Sequence, residues 1–184
     1  REISRYCFEN NPVVTKIVIP EGVEVIGDSA ITGCSNLREI VLPNSVNSIG
    51  EYAFADNTQL TTITMPGTLS SAGHGIFLRC SSLQSVNWPS GAKIPDSAFS
   101  ECTSLTSVSI PEGVTGVGDS AFKNTGITSL VLPQSLTSIG ARCFEGSNIS
   151  SISIPGNVRE IPEYTFHECK NLQSISIAEG VNTI

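Results

Sequence analysis

The residues that most often carry chemistry are few in this chain and lie far apart. It has two histidines, His74 and His167, which are separated by four copies of a repeated pattern. With strands stacked at about 4.8 Å, that separation is on the order of 20 Å, so the two imidazoles cannot share a site. Cys169 lies two residues after His167, but a structural zinc ion requires four ligands. The sequence therefore predicts no metal site.

No serine or cysteine has the partners that a catalytic nucleophile requires. A nucleophile needs a base within hydrogen-bond reach and a third group that orients the base. The hydroxyl and thiol residues instead recur at fixed places in the repeat, and the glycines recur at turn positions rather than in a phosphate-binding loop. We expect a protein without catalysis and without a cofactor.

Carboxylates recur once per repeat in five copies. They follow the Ile-Gly pair or its equivalent, at Asp28, Glu51, Asp96, Asp119 and Glu163. At the start of a short helical turn, each carboxylate would accept from free backbone N–H groups and favour the positive end of the turn dipole. The alternative is a ladder of calcium sites, which would need several converging carboxylates and carbonyls; the pattern indicates none.

The six cysteines fall into two columns of the repeat. Cys7 and Cys143 share a small-residue column with alanines. A second column, three positions after a recurring aromatic, holds Asn11, Asn57, Cys34, Cys80, Cys102 and Cys169. Exchange of cysteine with asparagine favours a small buried side chain that bonds neighbouring backbone groups, so we expect buried free thiols. Cys80 and Cys102 lie in adjacent copies at a spacing compatible with a disulfide, and they remain the exception to check.

The repeat itself is marked by prolines at positions 20, 43, 66, 89, 111, 133 and 155, in steps of 23 and then 22 residues. A fixed period of this length indicates a solenoid, in which each coil buries its apolar side against its neighbours. Before each proline, apolar and polar residues alternate, as in Ser107-Val-Ser-Ile110. This alternation predicts one half-buried strand per coil, which ends at the proline because proline has no N–H for a ladder.

All seven phenylalanines occupy one column of the repeat, and Ile31 fills the remaining coil. One aromatic per coil at a constant place predicts a stacked spine in the core. The coil from Pro89 departs from the pattern, because it loses a residue before Ile94 and has Trp88 beside it on a strand position. We predict that the indole fills the volume left by Ala72 and Ala92, where larger residues belong.

Composition excludes several classes of function. The net charge of −7 and a pI near 4.7 argue against a nucleic-acid surface, which needs a basic patch. No apolar run approaches the roughly 18 residues of a membrane span, so no membrane insertion is expected within this segment. The chain opens and closes within a repeat. We therefore expect residues 1–184 to form one domain of about eight repeats, cut from a longer protein.

The run from Leu105 to Phe122, LTSVSIPEGVTGVGDSAF, resembles the leucine-rich repeats of the bacterial surface antigen A type, or BspA-like family. The likeness extends over essentially the whole chain. It implies an α/β repeat solenoid that curves right-handedly, with a parallel sheet on the concave side and short helical or irregular segments on the convex side. It also implies a microbial protein that is secreted or exposed on the cell surface and is used for adhesion and protein binding.

Any ligand site is expected on the outward positions of the predicted strands, since these escape the core pattern. Serine and threonine dominate them, with valines at Val18, Val41 and Val131. Such residues suit the solvent side of a strand, and they equally suit a ligand surface of many weak hydrogen bonds. The candidate ligand-binding residues are Arg38, Glu39, Thr62, Thr64, Ser85, Asn87, Ser107, Ser109, Ser129, Ser151 and Ser174.

Two functions of different classes follow from this reading. The first is a non-catalytic adhesion or protein-binding module, extracellular or on the cell surface, whose ligand is a host or extracellular-matrix protein. The second is a structural spacer or stalk that displays other domains. Carbohydrate is a further alternative ligand, although sugars usually stack on exposed aromatic rings and this face has none. Because a fold does not determine a function, the choice depends on the site.

Overall fold

Short parallel strands are the only regular secondary structure in the computed structural model, which describes residues 1–184. Most coils contribute one strand to a front sheet and a second strand to a lateral sheet. The strands are β1 (Glu2–Ile3), β2 (Lys16–Val18), β3 (Val25–Ile26), β4 (Glu39–Val41), β5 (Ser48–Ile49), β6 (Thr62–Ile63), β7 (Ser71–Ala72), β8 (Ser85–Asn87), β9 (Ser107–Ser109), β10 (Gly116–Val117), β11 (Ser138–Ile139), β12 (Ser151–Ile154) and β13 (Ser174–Ile177).

The front sheet contains the strands that the alternating pattern predicts. It runs in the order β2-β4-β6-β8-β9 and resumes with the pair β12-β13. Pairing is parallel and advances by one repeat per strand, so that Ile17 faces Ile40 and Val86 faces Val108. In β2, Ile17 is buried while Lys16 and Val18 are exposed. The parallel-sheet solenoid is therefore confirmed, with the central isoleucine of β2 facing the core.

The phenylalanine column forms the predicted spine. From Phe54 to Phe166, each ring stacks on the next at centroid separations of 5.4 to 5.7 Å. Five of these rings are completely buried, and Ile31 takes the same buried place in its own coil. The offset-stacked arrangement suits the ring quadrupoles while filling the interior.

The family resemblance implies short helical or irregular segments outside the front sheet. The helical alternative is wrong, because the structure contains no helix, and the segments are irregular. The segments around the phenylalanine column, here called the back turns, have two residues per coil in the left-handed region. Tyr52 has φ of 54° and Asp56 has φ of 59°, and other coils repeat this spacing of four. In this segment, the N–H groups of Tyr52, Phe54 and Asp56 donate to carbonyls of the next coil at 2.8 to 3.0 Å. A helix would instead direct each N–H to the carbonyl four residues earlier in the same coil.

The recurrent carboxylates have a different role from the predicted helix cap. Asp28 Oδ1 accepts from the N–H of Glu51 at 2.9 Å, and Asp96 and Asp119 make the same bond to the following coil. The expectation that these carboxylates accept from backbone N–H groups is confirmed for the three aspartates but not for Glu51 and Glu163, and no helix dipole is involved. A Cβ at Gly50 would lie 2.4 Å from Asp28 Oδ1, so glycine is needed there for the carboxylate to approach.

Two prolines interrupt the lateral sheet. In most coils a glycine donates its N–H to the preceding coil, as Gly73 does to Ile49 O at 2.8 Å. Pro95 and Pro162 occupy this glycine column and have no N–H to donate. The four-stranded sheet β1-β3-β5-β7 ends immediately before the first of these prolines, and the pair β10-β11 ends before the second.

Trp88 is buried, as predicted, with 3% of its surface exposed. Its indole Nε1 donates to Ala92 O at 2.9 Å, and the ring meets Phe99 edge to face at 5.7 Å. The indole therefore packs against the segment where Ala92 replaces a larger residue. Ala72 is only half-buried, and a hollow lies beside it on the lateral surface.

The Asn and Cys column bonds backbone groups, as the exchange of these residues predicts. Cysteine thiols donate to the carbonyl of the spine residue in the preceding coil; Cys80 reaches Phe54 O at 3.0 Å. Asn57 makes the equivalent bond to Ile31 O at 2.8 Å and two more, donating to Phe54 O and accepting from the N–H of Cys34. One buried amide thus satisfies three backbone groups and joins two adjacent coils.

We predict that Asn57→Ala destabilises the protein by about 2 kcal/mol or more, because it leaves Ile31 O and the N–H of Cys34 buried without partners, whereas Phe54 O keeps the Cys80 thiol. Asn57→Cys should cost less, since a thiol at this place donates to the preceding spine carbonyl as Cys80 does. Urea unfolding of both variants measures the difference. Equal destabilisation by alanine and cysteine would contradict this role of the column.

Candidate ligand-binding face

The exposed side chains of the front sheet form two rows that run across the coils. We call this surface the front face. The first row pairs Lys16 with Glu39, Glu39 with Thr62, Thr62 with Ser85, and Ser85 with Ser107. The second contains Val18, Val41, Thr64, Asn87 and Ser109, two residues further along each strand. Rows of this kind arise because alternate side chains of a strand point to the same side of its sheet.

The structure leaves all eleven candidate residues exposed. Glu39, Thr62, Ser85, Asn87, Ser107, Ser109, Ser151 and Ser174 lie within strands; Arg38 precedes β4, Thr64 follows β6, and Ser129 forms a single bridge to Ser151. The sheet register therefore brings together residues that are about 23 positions apart in sequence. Their contribution to ligand binding stays a prediction.

Charge on the front face is confined to its first two coils. Lys16 Nζ lies 2.9 Å from Glu39 Oε1, and both side chains are about half exposed. Arg38 is exposed and forms no ion pair. From Thr62 to Ser176, the outward residues of the strands are uncharged. The face thus combines one charged end with a long hydroxyl-rich part.

The front sheet is interrupted between β9 and β12. Residues 128–132 make no backbone hydrogen bond to residues 106–110, and only Ser129 bridges to the following coil. Hollows of about 570 Å³ and 420 Å³ lie on the two sides of this segment. Between them, Val131 is 84% exposed. The interruption follows Asn124-Thr-Gly-Ile127, where the coil has lost a residue. The place of Val131 in the repeat predicts that its side chain points outward. It does not predict that this segment separates from the preceding strand.

All six cysteines are free thiols. Cys80 and Cys102 therefore do not form the disulfide that their spacing would allow. Cys80 donates to Phe54 O, and Cys102 donates to Phe77 O at 3.1 Å. Burial raises the pKa of Cys80 to about 12 and also raises the pKa values of Cys102 and Cys143. These thiols are therefore neutral structural groups rather than nucleophiles.

Cys7 corrects the expectation that every thiol is buried, because it is exposed. It lies in the first coil, whose outer side has no other coil packed against it, and Cys169 in the last is partly buried. The other four cysteines are covered on both sides by neighbouring coils. Exposure of the cysteines thus follows position in the stack rather than the column to which each belongs.

The remaining titratable residues do not assemble a reactive centre. No group of three or more His, Cys, Asp or Glu residues is placed to hold a metal ion. His167 Nδ1 lies 3.8 Å from Glu145 Oε1, which also faces Lys123 Nζ at 3.3 Å, while the Cys169 thiol is directed to Phe144 O. His74 packs edge to face on Tyr52 at 5.1 Å. No helix in the structure has the length and apolar character needed to cross a membrane.

The sequence matches one known family over its whole length. The profile of the BspA type leucine rich repeat region, a region of 6 copies, matches residues 1–93 and 92–184. A comparison with curated proteins gives no match.

Solved structures with the same fold come from several bacteria. A leucine rich cell surface protein of Faecalibacterium prausnitzii is 26% identical with a TM-score of 0.77, over 100% of this chain and 60% of that one. A leucine-rich repeat protein of Bacteroides ovatus is 25% identical with a TM-score of 0.53, over 100% of this chain and 66% of that one. A leucine rich repeat protein of T. pallidum shares the fold at 22% identity and a TM-score of 0.54, over 79% of this chain and 69% of that one. This chain spans 60% and 66% of the lengths of the first two.

Thiol exposure leads to a direct prediction. In the native protein, iodoacetamide at pH 8 should modify Cys7 rapidly and Cys34, Cys80, Cys102 and Cys143 at least about 100-fold more slowly, since these are buried and their opening requires unfolding. Peptide mass spectrometry after timed quenching gives the rate for each site, and denatured protein is the control in which all six react. Rapid native modification of Cys80 would contradict the packing of this column.

Proposed function

Because the chain belongs to the BspA-type leucine-rich repeat family, we propose that it is a non-catalytic protein-binding module of a microbial cell-surface or secreted protein. Its front face contacts the ligand, and the ligand is a host or extracellular-matrix protein. In this proposal, residues 1–184 act as one repeat domain within a longer protein.

The observation that carries this proposal is the exposure of two aligned rows of side chains, most of them polar, along successive coils of one sheet. Solenoid stacking gives each coil an equivalent position from which to contact an extended partner. The core is supplied entirely by the inward residues and the phenylalanine spine, so the outward residues are free to vary for binding.

The chemistry of the front face indicates how it would bind. It offers one arginine, Arg38, and three exposed valines, Val18, Val41 and Val131, but no aromatic anchor. Since binding energy usually concentrates in buried aromatic and arginine residues, we expect modest affinity per coil. Several coils acting together, or several copies of the protein on one surface, would then give useful avidity.

The spacer function remains the rival from another class, since a solvated hydroxyl face needs no partner. The two are distinguished by whether substitutions on the front face change binding without changing stability. An extended stalk should tolerate them, whereas a binding module should not.

We predict that four front-face lysines reduce capture of a protein ligand by at least about tenfold, through steric block and lost hydrogen bonds, with a melting temperature within about 3 °C of the parent. Surface plasmon resonance against immobilised extracellular-matrix and host-surface proteins first identifies a saturable ligand and then measures the variant. The substitutions are Thr62→Lys, Ser85→Lys, Ser107→Lys and Ser129→Lys.

A control with the same added charge places four lysines at exposed positions outside the front face. These are Asn44→Lys, Asn47→Lys, Ser138→Lys and Asn148→Lys. The control should bind as the parent does. Absence of any saturable protein ligand, or equal capture by parent and front-face variant, would contradict the proposal and favour the spacer.

A further inference from the structure

The lateral surface contains a local defect in the ladder between coils. In the regular part, the N–H groups of Ser71 and Gly73 donate to Asn47 O and Ile49 O of the preceding coil, at 3.2 and 2.8 Å. One coil later the equivalent bonds are missing, and neither Ser70 O nor Ala72 O accepts a hydrogen bond from the protein. The fold therefore leaves two backbone acceptors unused here, as it does with Thr137 O and Ile139 O in the coil before Pro162.

Two sequence changes cause the defect. Pro95 replaces the glycine that would donate to Ala72 O, and proline has no N–H. The coil from Pro89 is also one residue shorter before Ile94, and the N–H of Lys93, which holds the place of Ser71, makes no hydrogen bond to Ser70 O. Both changes fall on the same coil, whereas at Pro162 the coil retains its length.

A hollow of about 430 Å³ opens where the ladder is missing. Its lining includes Ser70, Ser71, Ala72, Ser90, Lys93 and Thr115. The small side chains of Ala72 and Ala92 leave this space, because the indole of Trp88 lies against the inner side of Ala92 and is itself buried. The volume falls in the range of roughly 300 to 1,000 Å³ that small-ligand sites occupy.

The hollow offers hydrogen-bonding groups that the fold itself does not use. Ser71, Ser90 and Thr115 have hydroxyls without a partner in the protein, and the N–H of Lys93 is likewise unpaired. The Lys93 ammonium makes no ion pair, although the chain carries a net charge of −7. Acceptors, donors and one positive charge thus line a single small space.

We propose that this hollow binds a sugar unit that carries a carboxylate. Sugar hydroxyls both donate and accept, so they match a site with free carbonyls on one side and free hydroxyls and an N–H on the other. Lys93 is the only charged residue of the lining, and it would pair with the carboxylate. A plain anion would leave the carbonyls of Ser70 and Ala72 without hydrogen-bond donors. An apolar ligand would leave all the polar groups of the hollow without partners. This site is separate from the front face and does not depend on the function proposed for it.

The test uses glucuronate as the probe, with glucose as the same ring without charge and acetate as the charge without the ring. In ¹H–¹⁵N NMR titrations, glucuronate should shift the amides of Ser71, Ala72 and Lys93 saturably, with a Kd on the order of 1 mM. Glucose should bind at least about tenfold more weakly than glucuronate. Acetate should leave the chemical shifts of these amides unchanged. No saturable shift with glucuronate, or an equal response to acetate, would overturn the proposal.

Two variants test the site itself, and a third is matched to one of them. Lys93→Gln should reduce glucuronate binding to the level of glucose. Pro95→Gly restores the glycine of the other coils, so its N–H should pair with Ala72 O, close the ladder and reduce glucuronate binding at least about tenfold. Pro162→Gly makes the same change away from the hollow and should bind as the parent does. Retained binding in Pro95→Gly, with amide spectra that show a folded protein, would contradict the site.

Discussion

The interaction on which this structure depends is the backbone hydrogen bonding between coils along the back turns. Three alternate N–H groups per coil, such as those of Tyr52, Phe54 and Asp56, reach carbonyls of the next coil. This bonding requires two residues per coil in the left-handed conformation. For a residue other than glycine, that conformation costs about 1 kcal/mol. The cost is offset because every such turn satisfies its buried backbone groups through its neighbours, at roughly 1 kcal/mol per bond. A single coil could not remain in this conformation alone.

Other features of the molecule follow from that stacking. The fixed spacing of the coils brings the phenylalanine rings to centroid separations near 5.5 Å and aligns Asp28, Asp96 and Asp119 with N–H groups of the following coils. It also places a buried Asn or Cys where it can reach the spine carbonyl of the preceding coil. With the core and back turns providing cohesion, the front face and the lateral surface can change without loss of the fold. The proposed protein-binding rows and the proposed sugar site both lie in these less constrained regions.

The sequence predicts the periodic features because they depend on residue type at a constant spacing. The proline period, the alternation before each proline and the single aromatic column are enough to place the front strands, the spine and the outward direction of residues such as Thr62 and Ser107. The absence of helices was not predictable in this way. Tyr52, Arg79 and Glu101 adopt positive φ although their types favour no such conformation, and each donates its N–H to a carbonyl of the next coil.

The two candidate sites differ in how far sequence could lead to them. The front-face residues are visible from alternation, but the separated segment around Val131 depends on how one shortened turn shifts a strand relative to its neighbour. The lateral hollow has a signal in the sequence, since Pro95 breaks a glycine column in the same coil that lacks a residue. Recognising it required the ladder register, which shows which carbonyls those changes leave unpaired.

Native-state amide hydrogen exchange along the phenylalanine column tests the stacking account most directly. The N–H groups of Phe54, Phe77, Phe99, Phe122 and Phe144 all donate to the next coil, whereas that of Phe166 makes no hydrogen bond. The account predicts that the first five exchange only through cooperative unfolding and that Phe166 exchanges orders of magnitude faster. Equal protection of Phe144 and Phe166, or rapid exchange of all six, would contradict the claim that hydrogen bonds between coils hold the back turns.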